Sequence, residues 1–212
     1  MKKTLLIIIL LPFILLKAQS SSNELVRVKD IIPDIVLDLK YNTTNNFTHQ
    51  KLYTTNECYL VLDAVKRLKV VQDSLKMIKS LNGKNYPKGI GIKIWDGYRP
   101  RAIQYLMWEI YPDPTFVADP KNGSIHNRGG AVDLTLVDLS TGKEINMPTG
   151  FDDFSPAAAH GFDKLLPEIK ANRDFLLNIM TNFGGFEPYN AEWWHYSAPG
   201  ASNLPLLDFQ MK

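Results

Sequence analysis

The sequence predicts a domain that mixes helices with strands, a long helix packing across a sheet. Two patterns carry this reading. Apolar residues recur every three or four positions over residues 54–83 and 167–183, the period of an amphipathic helix. Over 90–95 and 131–137 they alternate, the period of a strand with two different faces. A length of 212 residues, 45% apolar and 22% charged, is that of an ordinary globular domain with a core of its own.

Residues 1–18 read as a secretory signal peptide, which leaves 19–212 as a single domain. Lys2 and Lys3 form a positive start. The apolar run from Leu5 to Leu16, broken only by Pro12, is 12 residues long, short of the roughly 20 that a membrane-spanning helix needs. Ala18 suits the last position before a cut, although Leu16 is large for its place two residues earlier; an uncleaved anchor is the alternative. The expectation is an exported, periplasmic protein with no stable membrane span after cleavage. The formal net charge of +2 includes Lys2, Lys3 and Lys17. Without them 21 basic residues face 22 acidic ones, which gives no basis for nucleic-acid binding. Cys58 is the only cysteine, so no internal disulfide and no thiolate metal site can form; it reads as a small buried apolar residue in a helical pattern. Nothing in the sequence sets an oligomeric state.

Taken in order, residues 24–40 contain one or two short strands around Pro33. Residues 41–47 form a polar loop, read on residue types as surface, with Tyr41 or Asn46 lining a site as the alternative. Thr54 and Glu57 match a capping box, so the first long helix is expected to start there. It carries Val61, Val65, Leu68, Leu75 and Ile78 on one face and stops at Gly83. The strand at 90–95 ends in the turn pair Asp96-Gly97. Pro100 then suits the first turn of a helix over 101–110. Arg99 sits at that strand-to-helix junction, where a surface salt bridge competes with a place in a site. A loop over 111–123 leads to the strand at 131–137, in which Asp133 faces away from the most apolar row, Val132, Leu134 and Leu136. A turn at 140–143 and a long irregular segment over 146–163 follow. The second long helix, 167–183, has Phe175, Leu176, Ile179, Met180 and Phe183 as its stripe and ends at Gly184-Gly185. A last strand is expected over 192–196. His49 and His160 read as structural.

The stretch Ser124-Ile125-His126-Asn127-Arg128-Gly129-Gly130-Ala131-Val132-Asp133 carries the chemistry. It places a histidine and a carboxylate on either side of six residues, two of them glycine. A second histidine closes Glu192-Trp193-Trp194-His195. His126, Asp133 and His195 are two imidazoles and a carboxylate, a ligand set for a catalytic zinc with a position left for water. Glu192 is a nearby acidic group able to act as a base. On a regular strand Glu192 and His195, three apart, do not share a face; a bulge or a strand end is needed to bring both to one site.

The pattern Ser-x-His-x-x-Gly-x-Ala-x-Asp, followed late by Glu-Trp-Trp-His, resembles the VanX-type D-alanyl-D-alanine dipeptidases, a branch of the zinc D,D-peptidases (peptidase family M15). The resemblance covers nearly all of 19–212. Asp38-Leu39-Lys40-Tyr41 through Asn46-Phe47 is similar to that family's N-terminal loop, Asp96-Gly97-Tyr98-Arg99-Pro100 to its arginine segment, and Gly150-Phe151-Asp152 to the loop after its metal strand. The resemblance implies an α+β fold, a small mostly antiparallel sheet flanked by helices with zinc in a central cleft. It implies one Zn2+ per subunit on His126, Asp133 and His195, Glu192 as general base, and Arg99 as the cation that meets the transition state. Ser124 would hold the substrate carboxylate, and Tyr41 and Asp152 would lie near the amine, with Asp153 one residue away as the competitor for that place. The implied partner is a small dipeptide, and the implied reaction is hydrolysis of D-Ala-D-Ala in cell-wall peptide metabolism. A D,D-carboxypeptidase or endopeptidase on peptidoglycan stem peptides, and a non-catalytic zinc-stabilised binding domain, are the alternatives.

Overall fold

The computed structural model describes residues 23–211; the leader read at 1–18 lies outside the described residues. The chain runs β1 (Leu25–Arg27), α1 (Val28–Ile31), β2 (Val36–Leu37), β3 (Tyr59–Val61), α2 (Leu62–Lys76), β4 (Ser80–Leu81), β5 (Lys84–Asn85), β6 (Ile90–Asp96), α3 (Arg101–Ile110), β7 (Ala131–Asp138), α4 (Pro167–Asn178), β8 (Glu187–Pro188) and β9 (His195–Ser197). The main sheet has the order β2-β6-β7-β9-β8, parallel only between β2 and β6. This is the expected α+β arrangement with a mostly antiparallel sheet. No helix among the described residues is long and apolar enough to cross a membrane.

Alternation along β6 and β7 puts Ile90, Ile92, Ile94, Val132, Leu134 and Leu136 on one side of the sheet. There they meet Val65, Leu68, Val71 and Leu75 of α2 and Leu176, Ile179 and Met180 of the second long helix, all buried. This aliphatic part of the core lies on one face; the other carries the site beside the buried rings of Trp95, Trp193 and Trp194. Where β2 is too short to cover β6, the Ile92 amide donates to Gln72 Oε1 of α2 at 2.8 Å, which satisfies a buried backbone group without a strand partner.

Two helix boundaries differ from expectation. α2 begins at Leu62, not at Thr54. Residues 59–61 are drawn into β3, in register with β1 from Leu25↔Val61 to Arg27↔Tyr59, and Val61 donates its amide to Gly129. Tertiary pairing outweighs the local cap, so Cys58 is buried but outside any helix. At its far end α2 stops at Lys76, and Asn82-Gly83, at φ 51° and 78°, turns the β4–β5 hairpin instead of ending a helix. This is the Asn-Gly turn with both central residues left-handed. The second long helix is α-helical to Asn178 and finishes as a π turn over Ile179–Phe183, with Phe183 exposed rather than in the stripe. The region 24–40 holds two strands with a single helical turn between them.

His160 is structural and has a consequence for stability. Both its ring nitrogens and the Tyr196 hydroxyl are buried without a hydrogen-bond partner among the described residues, the rings lying 6.0 Å apart edge to face. Burial, with the Arg173 guanidinium nearby, holds the imidazole down at about 4, against about 6.5 in an unfolded chain. The unfolded state therefore binds the extra proton first, and stability is lost as pH falls from about 6.5 to about 4. The melting temperature of metal-free protein should drop across that window, and His160→Asn should flatten the drop. An unchanged slope in the variant would assign the acid sensitivity to another group.

Candidate metal centre

Sheet register assembles the centre. Asp96 of β6 lies opposite Asp133 of β7, after an irregularity at Trp95, and Asp133 lies opposite His195 of β9. One row across three strands therefore holds Asp96, Asp133 and His195 at the same end of the sheet. His126 comes from a 3-10 turn, His126–Arg128, just before β7. Gly129 closes that turn at φ 70°, in the left-handed region, and its Cα faces the Leu25 side chain where a Cβ would collide. Glu192 sits in the tight turn between β8 and β9, and the His195 amide reaches back to its carbonyl. The expected strand over 192–196 thus begins only at His195. That strand end is what lets two residues three apart face one point.

His126 Nε2, Asp133 and His195 Nδ1 converge. The two ring nitrogens are 3.2 Å apart, His195 Nδ1 is 3.0 Å from Asp133 Oδ1, and His126 Nε2 is 3.3 Å from Asp133 Oδ2. Outer partners set the tautomers: His126 Nδ1–H donates to the Gly97 carbonyl at 2.7 Å, and His195 Nε2–H lies 3.3 Å from Ser197 Oγ. Each ring is then left with its lone pair turned inward. Two such lone pairs face one another comfortably only across a cation or a proton. Burial would raise the Asp133 carboxyl, but the two imidazoles around it hold it well below the usual carboxylate range, so it is a ready anion. These three are the His/Asp group of the described residues whose ligand atoms lie close enough to share one metal ion, and the donor set fits zinc.

Other candidates take their places around this point. Glu192 is 7% exposed, with Oε2 3.8 Å from His195 Nδ1; burial and then the charges of Asp133 and Asp152 push its carboxyl well above its ordinary value. Arg99 is not a surface ion pair. It is buried, gives Nε–H and Nη2–H to Asp96 Oδ2 at 3.1 and 2.7 Å and Nη1–H to Gln104 Oε1 at 2.9 Å, and lies over the Tyr41 ring at 5.1 Å. Of five guanidinium N–H groups, two remain for a ligand. The Arg99 backbone is tied to the His126 turn by its amide on the His126 carbonyl and by Asn127 Nδ2 on its own carbonyl.

Tyr41 belongs to the site, not to a surface loop. Its hydroxyl donates to Asp152 Oδ1 at 3.1 Å, and Asp152 Oδ2 accepts the Phe47 amide. Asn46 instead holds the loop to itself, through bonds to the carbonyls of Lys40, Thr43 and Gln50. Asp152 adopts φ 57°, a conformation that Asp tolerates better than most residues. Burial, opposed by the Phe47 amide, brings its carboxyl up to about 7. Asp153 points elsewhere and caps the Ser155 amide. Ser124 Oγ accepts the His126 amide at 3.2 Å. All eight candidate residues line one cavity of about 250 Å3, below the roughly 300–1,000 Å3 usual for drug-sized ligands.

Sequence reasoning passed over Asp96, which it read as half of a turn. It is fully buried, takes the Tyr53 hydroxyl at 3.0 Å, and fixes Arg99; an acid three residues before a candidate arginine was the available signal. It also passed over Tyr189 and the loop wall Pro114, Thr115 and Phe116, which line the cavity and carried no motif.

Comparisons with known proteins give the chain a family. The family model described as D-Ala-D-Ala dipeptidase, Peptidase_M15, matches residues 21–212. A D-alanyl-D-alanine dipeptidase of Escherichia coli is 35% identical over 188 residues, 89% of this chain and 91% of that protein. One of Enterococcus faecium is 31% identical over 79% of this chain and 87% of its own length. One of Streptomyces coelicolor is 31% identical over 80% and 89%.

Proposed function

The chain belongs to the D-Ala-D-Ala dipeptidase family of metallopeptidases, peptidase family M15, and on that premise we propose that it hydrolyses the free D-Ala-D-Ala dipeptide to D-alanine with one zinc ion per chain. The observation that carries the reading is the convergence of His126, Asp133 and His195 inside a cavity of about 250 Å3 that also holds Glu192 and Arg99.

His126, Asp133 and His195 would hold the zinc, which when bound would supply Lewis acidity for the water and for the peptide carbonyl near neutral pH. Glu192 takes the proton of the attacking water on a carboxylate oxygen and passes a proton to the leaving amine nitrogen. The two uncommitted Arg99 N–H groups face the charge that grows on the carbonyl oxygen, and Asp96 and Gln104 keep the guanidinium from turning away. A dipeptide is a zwitterion, so each end needs a partner when it leaves water. Ser124 receives the carboxylate. Asp152, with Tyr41, receives the ammonium, and a cation beside Asp152 stabilises its charged form. The cavity's small volume favours a dipeptide over a stem peptide. The apolar leader supports export, so the substrate is dipeptide outside the inner membrane, in the periplasm, where hydrolysis serves cell-wall peptide metabolism.

The test is a product assay on zinc-loaded protein, with free D-Ala-D-Ala set beside a pentapeptide ending in D-Ala-D-Ala, each with and without a chelator. Release of D-alanine from the dipeptide, abolished by the chelator, is the expected result. Release from the pentapeptide alone would make the protein a wall-trimming carboxypeptidase. No release from either, with zinc bound, would make it a binding domain.

A further inference from the structure

One wall of the cleft is fastened in a way that the chemistry above does not use. The loop over 111–123 runs along the cavity, and its two halves are held differently. The half at 118–121 is tied to α3: Gln104 Nε2 donates to the Ala118 carbonyl at 2.8 Å, and Arg101 donates to the carbonyls of Pro120 and Lys121. The half at 114–116 lines the cavity with Pro114, Thr115 and Phe116, beside Ala118 of the anchored half. Beyond its own turn, it is held there by the stack of Phe116 on Phe154, centroids 4.6 Å apart, and by the Tyr189 hydroxyl, which donates to the Thr115 carbonyl at 2.7 Å.

The other end of that hydrogen bond is firm. The Tyr189 amide donates to the His195 carbonyl, its carbonyl accepts the Glu192 amide, and its ring lies edge to face with the His195 imidazole at 5.7 Å. Tyr189 therefore belongs to the turn that carries Glu192 and reaches across the cleft from it. The bond joins the two sides of the cavity at an exposed edge, Tyr189 being 40% exposed.

We propose that the Tyr189–Thr115 hydrogen bond is a clasp that closes this edge of the cleft and makes Tyr189 a determinant of substrate length. The proposal rests on the dipeptidase reading for the identity of the substrate. With the clasp made, the 114–116 segment is drawn to the Glu192 turn and the cavity keeps to dipeptide size. With it broken, the segment keeps its own turn on Asp113, the Phe116 stack and the buried Val117 that follows, but loses its tie to the Glu192 turn, so Thr115 moves outward and a chain extended beyond two residues can pass the edge.

Tyr189→Phe removes the hydroxyl and keeps the ring. Zinc-loaded wild type and variant would be compared on D-Ala-D-Ala, on L-Lys-D-Ala-D-Ala and on D-Ala-D-Ala-D-Ala. A net hydrogen bond of ordinary strength corresponds to roughly 2- to 10-fold in an equilibrium. KM for the dipeptide should rise by about that factor, more than kcat falls, and the kcat/KM ratio of at least one tripeptide to the dipeptide should rise by a similar factor. Amide hydrogen exchange of the zinc-loaded proteins gives a readout that needs no turnover: the amides of Phe116 and Val117 should exchange roughly 2- to 10-fold faster in the variant. Unchanged exchange at those amides overturns the clasp whatever the substrate. Faster exchange with both tripeptide ratios unmoved overturns its part in substrate length. A wild type that leaves D-Ala-D-Ala intact would count against the dipeptidase reading, and the exchange comparison would still decide whether the clasp exists.

Discussion

Glu192→Gln is expected to hold one zinc ion per chain and to lose about 10²–10⁴-fold in kcat on D-Ala-D-Ala, the range for removing a positioned proton-transfer group. The expectation follows from where the residue sits. Glu192 is outside the convergent set of His126, Asp133 and His195, so the metal does not depend on it, yet its carboxylate is 3.8 Å from His195 Nδ1 at the rim of that set. Glutamine fills the same volume in the β8–β9 turn and keeps the backbone bonds through Tyr189 and His195. It cannot accept the water proton. Zinc stoichiometry measured beside steady-state rates decides the matter: wild-type turnover in a zinc-loaded variant would remove Glu192 from the role of base, and loss of zinc would move it among the ligands.

His126→Ala is expected to lose the metal and, with it, activity to the limit of detection. Two ligand residues remain, and Asp133 is left buried with one imidazole instead of two. The loss in affinity should exceed the roughly 10- to 100-fold that removing an outer partner of a ligand costs. The alanine also strands the Gly97 carbonyl, which now accepts the His126 ring N–H, so the variant should melt at a lower temperature even when both proteins are stripped of metal. Zinc content after dialysis is the measurement. Full loading would take His126 out of the ligand set.

Much of the site was legible because its chemistry is written in residue types at fixed separations. His126 and Asp133 flank a stretch with two glycines, and Glu192 and His195 travel together in one short motif; both are plain in the sequence. The core was legible for a related reason. Alternation along β6 and β7 and the three-and-four spacing of Val65, Leu68, Val71, Leu75, Leu176, Ile179 and Met180 are local patterns, and burial follows them. The helix start at Thr54 failed because a capping box is worth about 1 kcal/mol, less than the pairing of β3 with β1 that claims residues 59–61. From its position alone, without the family resemblance, Arg99 was not told from a surface ion pair, because its burial with Asp96 and Gln104 is set by packing.

By itself, the sequence determined the two sets of amphipathic elements, the residues able to bind a metal, the acid beside them, and membership in a dipeptidase family. Tertiary structure decided which of these meet. The register Asp96–Asp133–His195 across β6, β7 and β9, the place of Asp152, rather than Asp153, in the cavity through its bonds to Tyr41 and Phe47, and the bond of Tyr189 to Thr115 all join residues far apart in the chain, and the strand end that lets Glu192 share a site with His195 is set by where β9 pairs with β7. Such contacts are set by strand pairing and packing over the whole domain, which no local window of sequence contains.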